Sequence, residues 1–261
     1  MNERILALAD EPNTHTPLQD GEERIVDPRF VIWLGPGTGA GWTSVQRFRF
    51  EPHEVDTVIA NVHELLAERN RYECAWEIGS TGRPAELAEM LLARGMEWAE
   101  HDSHQAGMVL DREPEPGPPE VAVRVADSLE DFIVSEAIAH VAFGGSVPSD
   151  ERITTLYERR NPEVSRRYIA SIDGTDIGTA AATFLPDGVL LNAGSTLPEH
   201  RGRGAYRALV RARWDDAVAA GTPVLVTQAG EMSRPILERL GFRQICTVLA
   251  LVDRFGDAAD R

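Results

Sequence analysis

Residues 190–225 read LLNAGSTLPEHRGRGAYRALVRARWDDAVAAGTPVL, and this stretch decides the fold. Residues 189–196 form a strand, Pro198 ends its ladder, and Arg201-Gly202-Arg203-Gly204 delivers the chain into a helix. The helix follows from Tyr206, Leu209, Val210, Trp214, Ala217 and Val218, which fall on one face at 3.6-residue spacing. Gly221-Thr222-Pro223 stops it. The first amides of such a helix have no intrahelical acceptor, and the helix dipole adds partial positive charge at the same point. Glycines at 202 and 204 remove Cβ atoms where the backbone would approach a ligand. The junction therefore predicts an anion site that a pyrophosphate fits.

Further along come a strand and then Arg234-Pro-Ile-Leu-Glu-Arg-Leu-Gly-Phe242. Together with Thr196-Leu197-Pro198 and Arg201-x-x-Gly204, these residues resemble the acetyl-CoA-binding core of the GNAT superfamily of N-acetyltransferases, over roughly residues 121–255. The resemblance implies that Arg201, Gly202, Arg203, Gly204, Ala205 and Tyr206 hold the coenzyme pyrophosphate through backbone amides. It also implies that Ser195 and Thr196 form a splayed strand end that pairs with the pantetheine arm. Tyr206 departs from the family, which has Gly or Ala there; a bulky side chain is tolerated if it points into the protein.

Composition narrows the chemistry. Of 261 residues 42 are acidic and 26 basic, a net charge of −16, which argues against a nucleic-acid partner. The same charge suits a cationic amine substrate, and equally suits plain solubility. All the basic residues are arginine, so Schiff-base chemistry, a pyridoxal-phosphate anchor and a P-loop lysine are excluded, and the bias hints at a GC-rich bacterial genome. Cys74 and Cys246 stand alone in apolar runs, as buried thiols of a reducing cytoplasm do. No membrane span and no metal set is expected; His101 and His104 lack a third ligand.

The chain divides at Arg112-Glu-Pro-Glu-Pro-Gly-Pro-Pro119, read as a stiff extended linker. Residues 1–23 read as a loosely ordered polar arm, 24–111 as a first domain, 112–120 as the linker, 121–255 as the coenzyme domain and 256–261 as a tail. The first domain repeats the end of the second. Arg83-Pro84 leads through Leu87, Leu91 and Leu92 to Gly95 and then Met108-Val-Leu-Asp111, just as Arg234-Pro235 leads through Leu237 and Leu240 to Gly241 and then Leu249-Ala-Leu-Val-Asp253. The expected fold is α/β (α+β): two acyl-CoA N-acyltransferase-like domains with mixed, mostly antiparallel twisted sheets flanked by helices, the N-terminal one truncated and lacking its coenzyme loop. The glycine cluster 35–41 is followed by strand alternation, so a hairpin loop is expected there.

Acyl transfer to an amine needs a neutral nucleophile, a polarised thioester and a proton for the leaving thiolate. In the resembled family a Tyr before the Leu-Gly-Phe stop often supplies that proton, and here the matching position is Leu237. Glu136, His140, Glu199, His200, Glu231 and Ser233 are candidate proton carriers, but no catalytic residue follows from the sequence. The functional expectation is an N-acetyltransferase using acetyl-CoA as cosubstrate, without a metal, on a small-molecule or peptide amine. The alternative is a non-catalytic acyl-CoA-binding sensor. Homodimerisation is left open.

Overall fold

The structure, a computed structural model, describes residues 2–145 and 147–256. Its backbone separates into two compact units that do not follow the linker. One comprises residues 1–108, 228–236 and 244–261, the other 109–227 and 237–243.

The first unit begins with α1 (Glu3–Asp10), where a loosely ordered arm was expected. Asn2 caps the helix, and Ile5, Leu8 and Ala9 share a buried face at i, i+3, i+4 spacing. Two prolines and the polar residues beyond it mask this short period in the sequence. Then follow β1 (Glu23–Val26), β2 (Val31–Leu34), β3 (Thr43–Gln46), α2 (Val55–Ala67), β4 (Glu73–Ile78), α3 (Leu87–Leu92), β5 (Glu97–Trp98) and β6 (His104–Leu110). The Gly35–Gly41 cluster joins β2 to antiparallel β3, as the alternation predicts, and closes over the indole of Trp42. Val55, Val58, Val62 and Leu66 line the inner face of α2 and pack with Phe30, Ile32, Phe48 and Trp76. Burying each such aliphatic side chain stabilises by about 1.5–3 kcal/mol before entropy is counted.

The second unit carries β7 (Val121–Val125), α4 (Leu129–Ala142), α5 (Asp150–Arg159), β8 (Ser165–Ile172), β9 (Thr175–Leu185), β10 (Gly188–Thr196) and α6 (Ala205–Ala219), and then most of β11 (Leu225–Ala229). Its strands run in the order β11-β10-β9-β8-β7, antiparallel except for β10 with β11. Adjacent residues of β8 show which helix covers which face. Tyr168 hydrogen-bonds Asp216 of α6, whereas Arg167 pairs with Glu136 of α4. On α6 Leu209, Val210, Trp214 and Ala217 of the expected face are buried; Tyr206 is half-buried, Val218 is exposed, and Ala205, Ala208 and Arg213 are buried beside them.

The last elements are α7 (Arg234–Arg239) and β12 (Arg243–Arg254). The sequence reading placed the closing strand in the coenzyme domain. Instead, residues 244–254 lie in the first unit, and β12 pairs antiparallel with β4 from Leu249↔Ile78 to Arg254↔Glu73. A boundary drawn along the chain cannot register such an exchange, because β12 satisfies the same alternation against any sheet. Cys74 and Cys246 are free and buried, as expected. Burial pushes the Cys246 thiol up to about 12, with the neighbouring Asp10 carboxylate acting in the same direction. Of the expected tail only Gly256 lies within the described residues. The linker, too, is no free spacer: Arg211 binds the Pro114 carbonyl at 3.0 Å and the Glu113 carboxylate at 2.7 Å, laying the segment along α6.

Candidate functional site

In the second unit, β10 and β11 share register only at Val189↔Leu225 and Leu190↔Val226. From Asn192 onward β10 keeps β9 as its only strand partner among the described residues, and a bulge interrupts that ladder between Asn192 and Ser195, where Ala193 has φ 50°. Strand β10 therefore ends in an open splay, with Ser195 and Thr196 at its tip. One short helical turn, Pro198–His200, leads into the Arg201–Gly204 loop.

The loop's geometry sorts its glycines. Gly202 and Gly204 both adopt left-handed backbone, φ 79° and 83°. A Cβ on Gly202 would meet nothing within 4 Å, whereas one on Gly204 would lie 2.3 Å from the Pro118 ring. Of the two positions where a bare backbone was expected to face a ligand, Gly202 opens onto free space and Gly204 is bare because the linker packs on it. The amides of Gly202, Arg203, Gly204, Ala205 and Tyr206 donate to no acceptor among the described residues. Arg203 is exposed, and its guanidinium contacts the His200 ring at 3.3 Å.

Arg201 points elsewhere. Its Nε donates to the Thr196 carbonyl and its Nη2 to the Ala142 carbonyl, both at 3.4 Å, bridging the tip of β10 to the end of α4. Tyr206, the departure from the family pattern, turns inward. Its ring lies where a Cβ on Gly194 would come within 2.8 Å, and it neighbours buried Arg213. Burial lowers the Arg213 pKa, and Tyr206 and Tyr168 oppose that shift. The Arg213 Nε and Nη1 donate to the Leu209 and Ala181 carbonyls at 3.0 and 3.2 Å.

Among the candidate proton carriers, Glu136 and His140 come together on α4, 3.7 Å apart, with Arg167 of β8 held against the Glu136 carboxylate at 2.5 Å. Glu199 and His200 sit on the turn before the loop, Glu199 exposed and His200 half-buried. Glu231 and Ser233 belong to the other unit. Leu237, standing where a Tyr is usual, is buried. His104 begins β6 and packs on Trp98, and His101 lies exposed in the turn before it. Neither Arg167 nor the buried hydroxyl pair Ser135–Thr179, 2.6 Å apart, stood out in the sequence, since each interrupts an apolar run no more than a solvent-facing residue would.

The corresponding place in the first unit is filled. Parallel β3 and β4 also share two registered pairs, Ser44↔Ala75 and Val45↔Trp76. Beyond them the chain after β4 folds back. Arg83 donates its amide to Phe48 O at 3.0 Å and accepts from the Phe50 amide at 3.4 Å, making a parallel bridge at Arg49↔Arg83. Buried Asp10 holds that returning loop through the amides and hydroxyls of Ser80 and Thr81, at 2.6–3.1 Å. Phe48 stacks on Trp76 underneath. A cleft of about 540 Å³ remains, lined by Arg49, Phe50, Glu51, Glu54, Thr81 and Arg83. Its two glutamates oppose a pyrophosphate, and Arg49 is paired with Glu11 at 3.3 Å.

No protein-family model and no curated protein sequence matches the chain significantly. Solved structures do. A GCN5-related N-acetyltransferase from Kribbella flavida is similar over 92% of both chains, at 21% identity and TM-score 0.70. Another from Sphaerobacter thermophilus is similar over 97% of this chain and 92% of its own, at 17% identity and TM-score 0.65. A tandem GNAT protein from the clavulanic acid biosynthesis pathway is similar over 88% of this chain and 79% of its own, at 15% identity and TM-score 0.62. The fold of this chain is that of the GNAT N-acetyltransferases.

Proposed function

We propose that the chain is an N-acetyltransferase that moves the acetyl group of acetyl-CoA to a primary amine. The observation that carries the reading is the open splay at the tip of β10, which runs into a loop of unpartnered amides beside the open face of Gly202. These residues fit acetyl-CoA: free strand edge suits the amides of the pantetheine arm, and the amides of residues 202–206 at the start of α6 suit its pyrophosphate. In the reaction the amine nitrogen bonds to the thioester carbonyl carbon, the C–S bond breaks with its electron pair left on sulfur, and the ammonium proton passes to a base.

The chain's part is to align the thioester along β10, withhold water, and hold a proton acceptor near the amine. The first unit, with its splay closed, takes no coenzyme of its own. The acceptor is a small-molecule or peptide amine, which a net charge of −16 attracts when cationic. The free, buried thiols fit a reducing cytoplasm. Buried Leu237 favours a second reading, in which acetyl-CoA is bound but not turned over, because no tyrosine stands there to protonate the thiolate. Thiol release from acetyl-CoA with butylamine, tyramine, an aminoglycoside and a peptide with a free N-terminus separates the two. Release with at least one amine supports the transferase, whereas binding without release with all four supports the sensor.

A further inference from the structure

We propose that His140 takes the proton from the attacking amine, and that Glu136, held by Arg167, positions it; the inference rests on the transferase reading above. The argument starts from strand register. Ser195 pairs with Thr179 and Arg167 with Ala181, and directly paired residues of antiparallel strands point to the same face. Thr179 bonds Ser135, and Arg167 pairs with Glu136, so that face is the one α4 covers. The Ser195 hydroxyl thus points toward α4, at the splay. It is buried, with 5% of the residue exposed, and has no hydrogen-bond partner among the described residues. An orphaned buried hydroxyl costs about 1–3 kcal/mol unless something polar meets it, so this face of the splay is built to receive a polar group.

Helix α4 runs over this face from Glu136, beside β8, to Ala142, whose carbonyl is tied by Arg201 to the tip of β10. His140 lies between those anchors, two residues before Ala142. Its side chain is 35% exposed, and so open to solvent, while the Glu136 side chain is only 8% exposed. The groups facing α4 are Arg124 from β7, Arg167 from β8, Thr179 from β9, Ser195 from β10, Arg201 at the Ala142 carbonyl and, through its ring against Phe132, Tyr157 from α5. Three of them are charged: Arg124 is paired with Asp131 and Asp176, Arg167 with Glu136, and Arg201 donates to the Thr196 and Ala142 carbonyls.

A neutral imidazole accepts a proton from the ammonium formed by attack, becomes imidazolium, and is stabilised by the carboxylate beside it. Arg167, ion-paired with that carboxylate, holds it in place beside His140. Atoms balance without any further reactant, because the proton that His140 gains is the one the amine loses, and solvent later removes it.

The test uses the full chain, acetyl-CoA and whichever of the four named amines turns over. The rate kcat/KM should rise with pH along an imidazole limb. In His140→Gln, kcat should fall about 10²-fold or more and the limb should vanish, with acetyl-CoA affinity and melting temperature unchanged. Added imidazole should restore part of the rate to His140→Ala. Glu136→Gln should move the limb to lower pH, since the imidazolium loses its carboxylate. If that variant melts early, the two His140 variants carry the test. Turnover by the wild type together with full rate and an unchanged limb in His140→Gln overturns the assignment and leaves the transferase reading standing. Absence of turnover in the wild type with all four amines overturns the transferase reading itself, and this inference with it.

Discussion

The two parallel strand pairs, β3/β4 and β10/β11, start alike and end differently. Each shares two registered residue pairs, and each has left-handed backbone shortly afterward, at Arg47 (φ 58°) and Ala193 (φ 50°). After that point the first pair is closed by its own chain. Arg83 takes the backbone groups of Phe48 and Phe50 that would otherwise face a ligand, and Asp10 clamps the loop. The second pair stays open, although eight residues separate strand from α-helix in both units, 47–54 and 197–204. The second unit's free amides are those of residues 202–206, at the end of this connection and the start of α6. A parallel splay is therefore a socket for extended backbone, whether protein or ligand. Pairing with Arg83 satisfies the same edge in one unit that pantetheine is proposed to satisfy in the other.

The comparison can be broken most severely by cutting the chain. A fragment of residues 121–261 keeps the open splay but leaves β12 without β4, exposing a six-residue ladder edge. It should aggregate or lack a cooperative melting transition. A soluble fragment that melts like the full chain would show that the β12–β4 pairing matters little.

Next in size are two buried tryptophans, Trp76 of β4 and Trp214 of α6. Trp76→Ala and Trp214→Ala should each cost about 3–5 kcal/mol by denaturant unfolding, since both indoles are buried. Trp76→Ala should create no second coenzyme site, because the Arg83 backbone still closes the splay. A second site in that variant would mean that packing, and not backbone pairing, keeps coenzyme out.

The glycines give a smaller and sharper contrast. Gly204→Ala should destabilise by roughly 2–3 kcal/mol, from positive φ and the clash with Pro118. Gly202→Ala should cost only about 1 kcal/mol and show mainly as weaker acetyl-CoA binding. Equal effects on stability and binding at the two positions would contradict the sorting. Smallest of all is an effect of pH. Because the Cys246 thiol is raised to about 12 when folded, it should resist a thiol-disulfide reagent at pH 8 until the protein unfolds. Its contribution to stability is present below the ordinary thiol pKa and is lost as pH rises from there toward about 12.

What the sequence disclosed follows from the range of the signals involved. The helix entry at Arg201–Gly204 and the stops at Gly221 and Gly241 are local, and backbone sterics fix them. So is the bland reading of the glycine cluster before Trp42. Three things were hidden because they depend on partners distant in sequence: the pairing of β12 with β4, the seating of the Pro-rich segment on Gly204, and the gathering of Glu136, His140 and Arg167. Arg167 looks in sequence like any strand arginine on a solvent face. Only the packing of α4 on that face turns it into the partner of a buried acid.

The central claim is that one splay is open to coenzyme and the other is closed by protein. Calorimetric titration of the full-length chain with acetyl-CoA measures this directly. The account predicts one site per chain, weakened in Gly202→Ala and untouched in Arg83→Ala, whose backbone bridge survives loss of the side chain. Two sites per chain, no binding at all, or a single site lost in Arg83→Ala and indifferent to Gly202→Ala would contradict it.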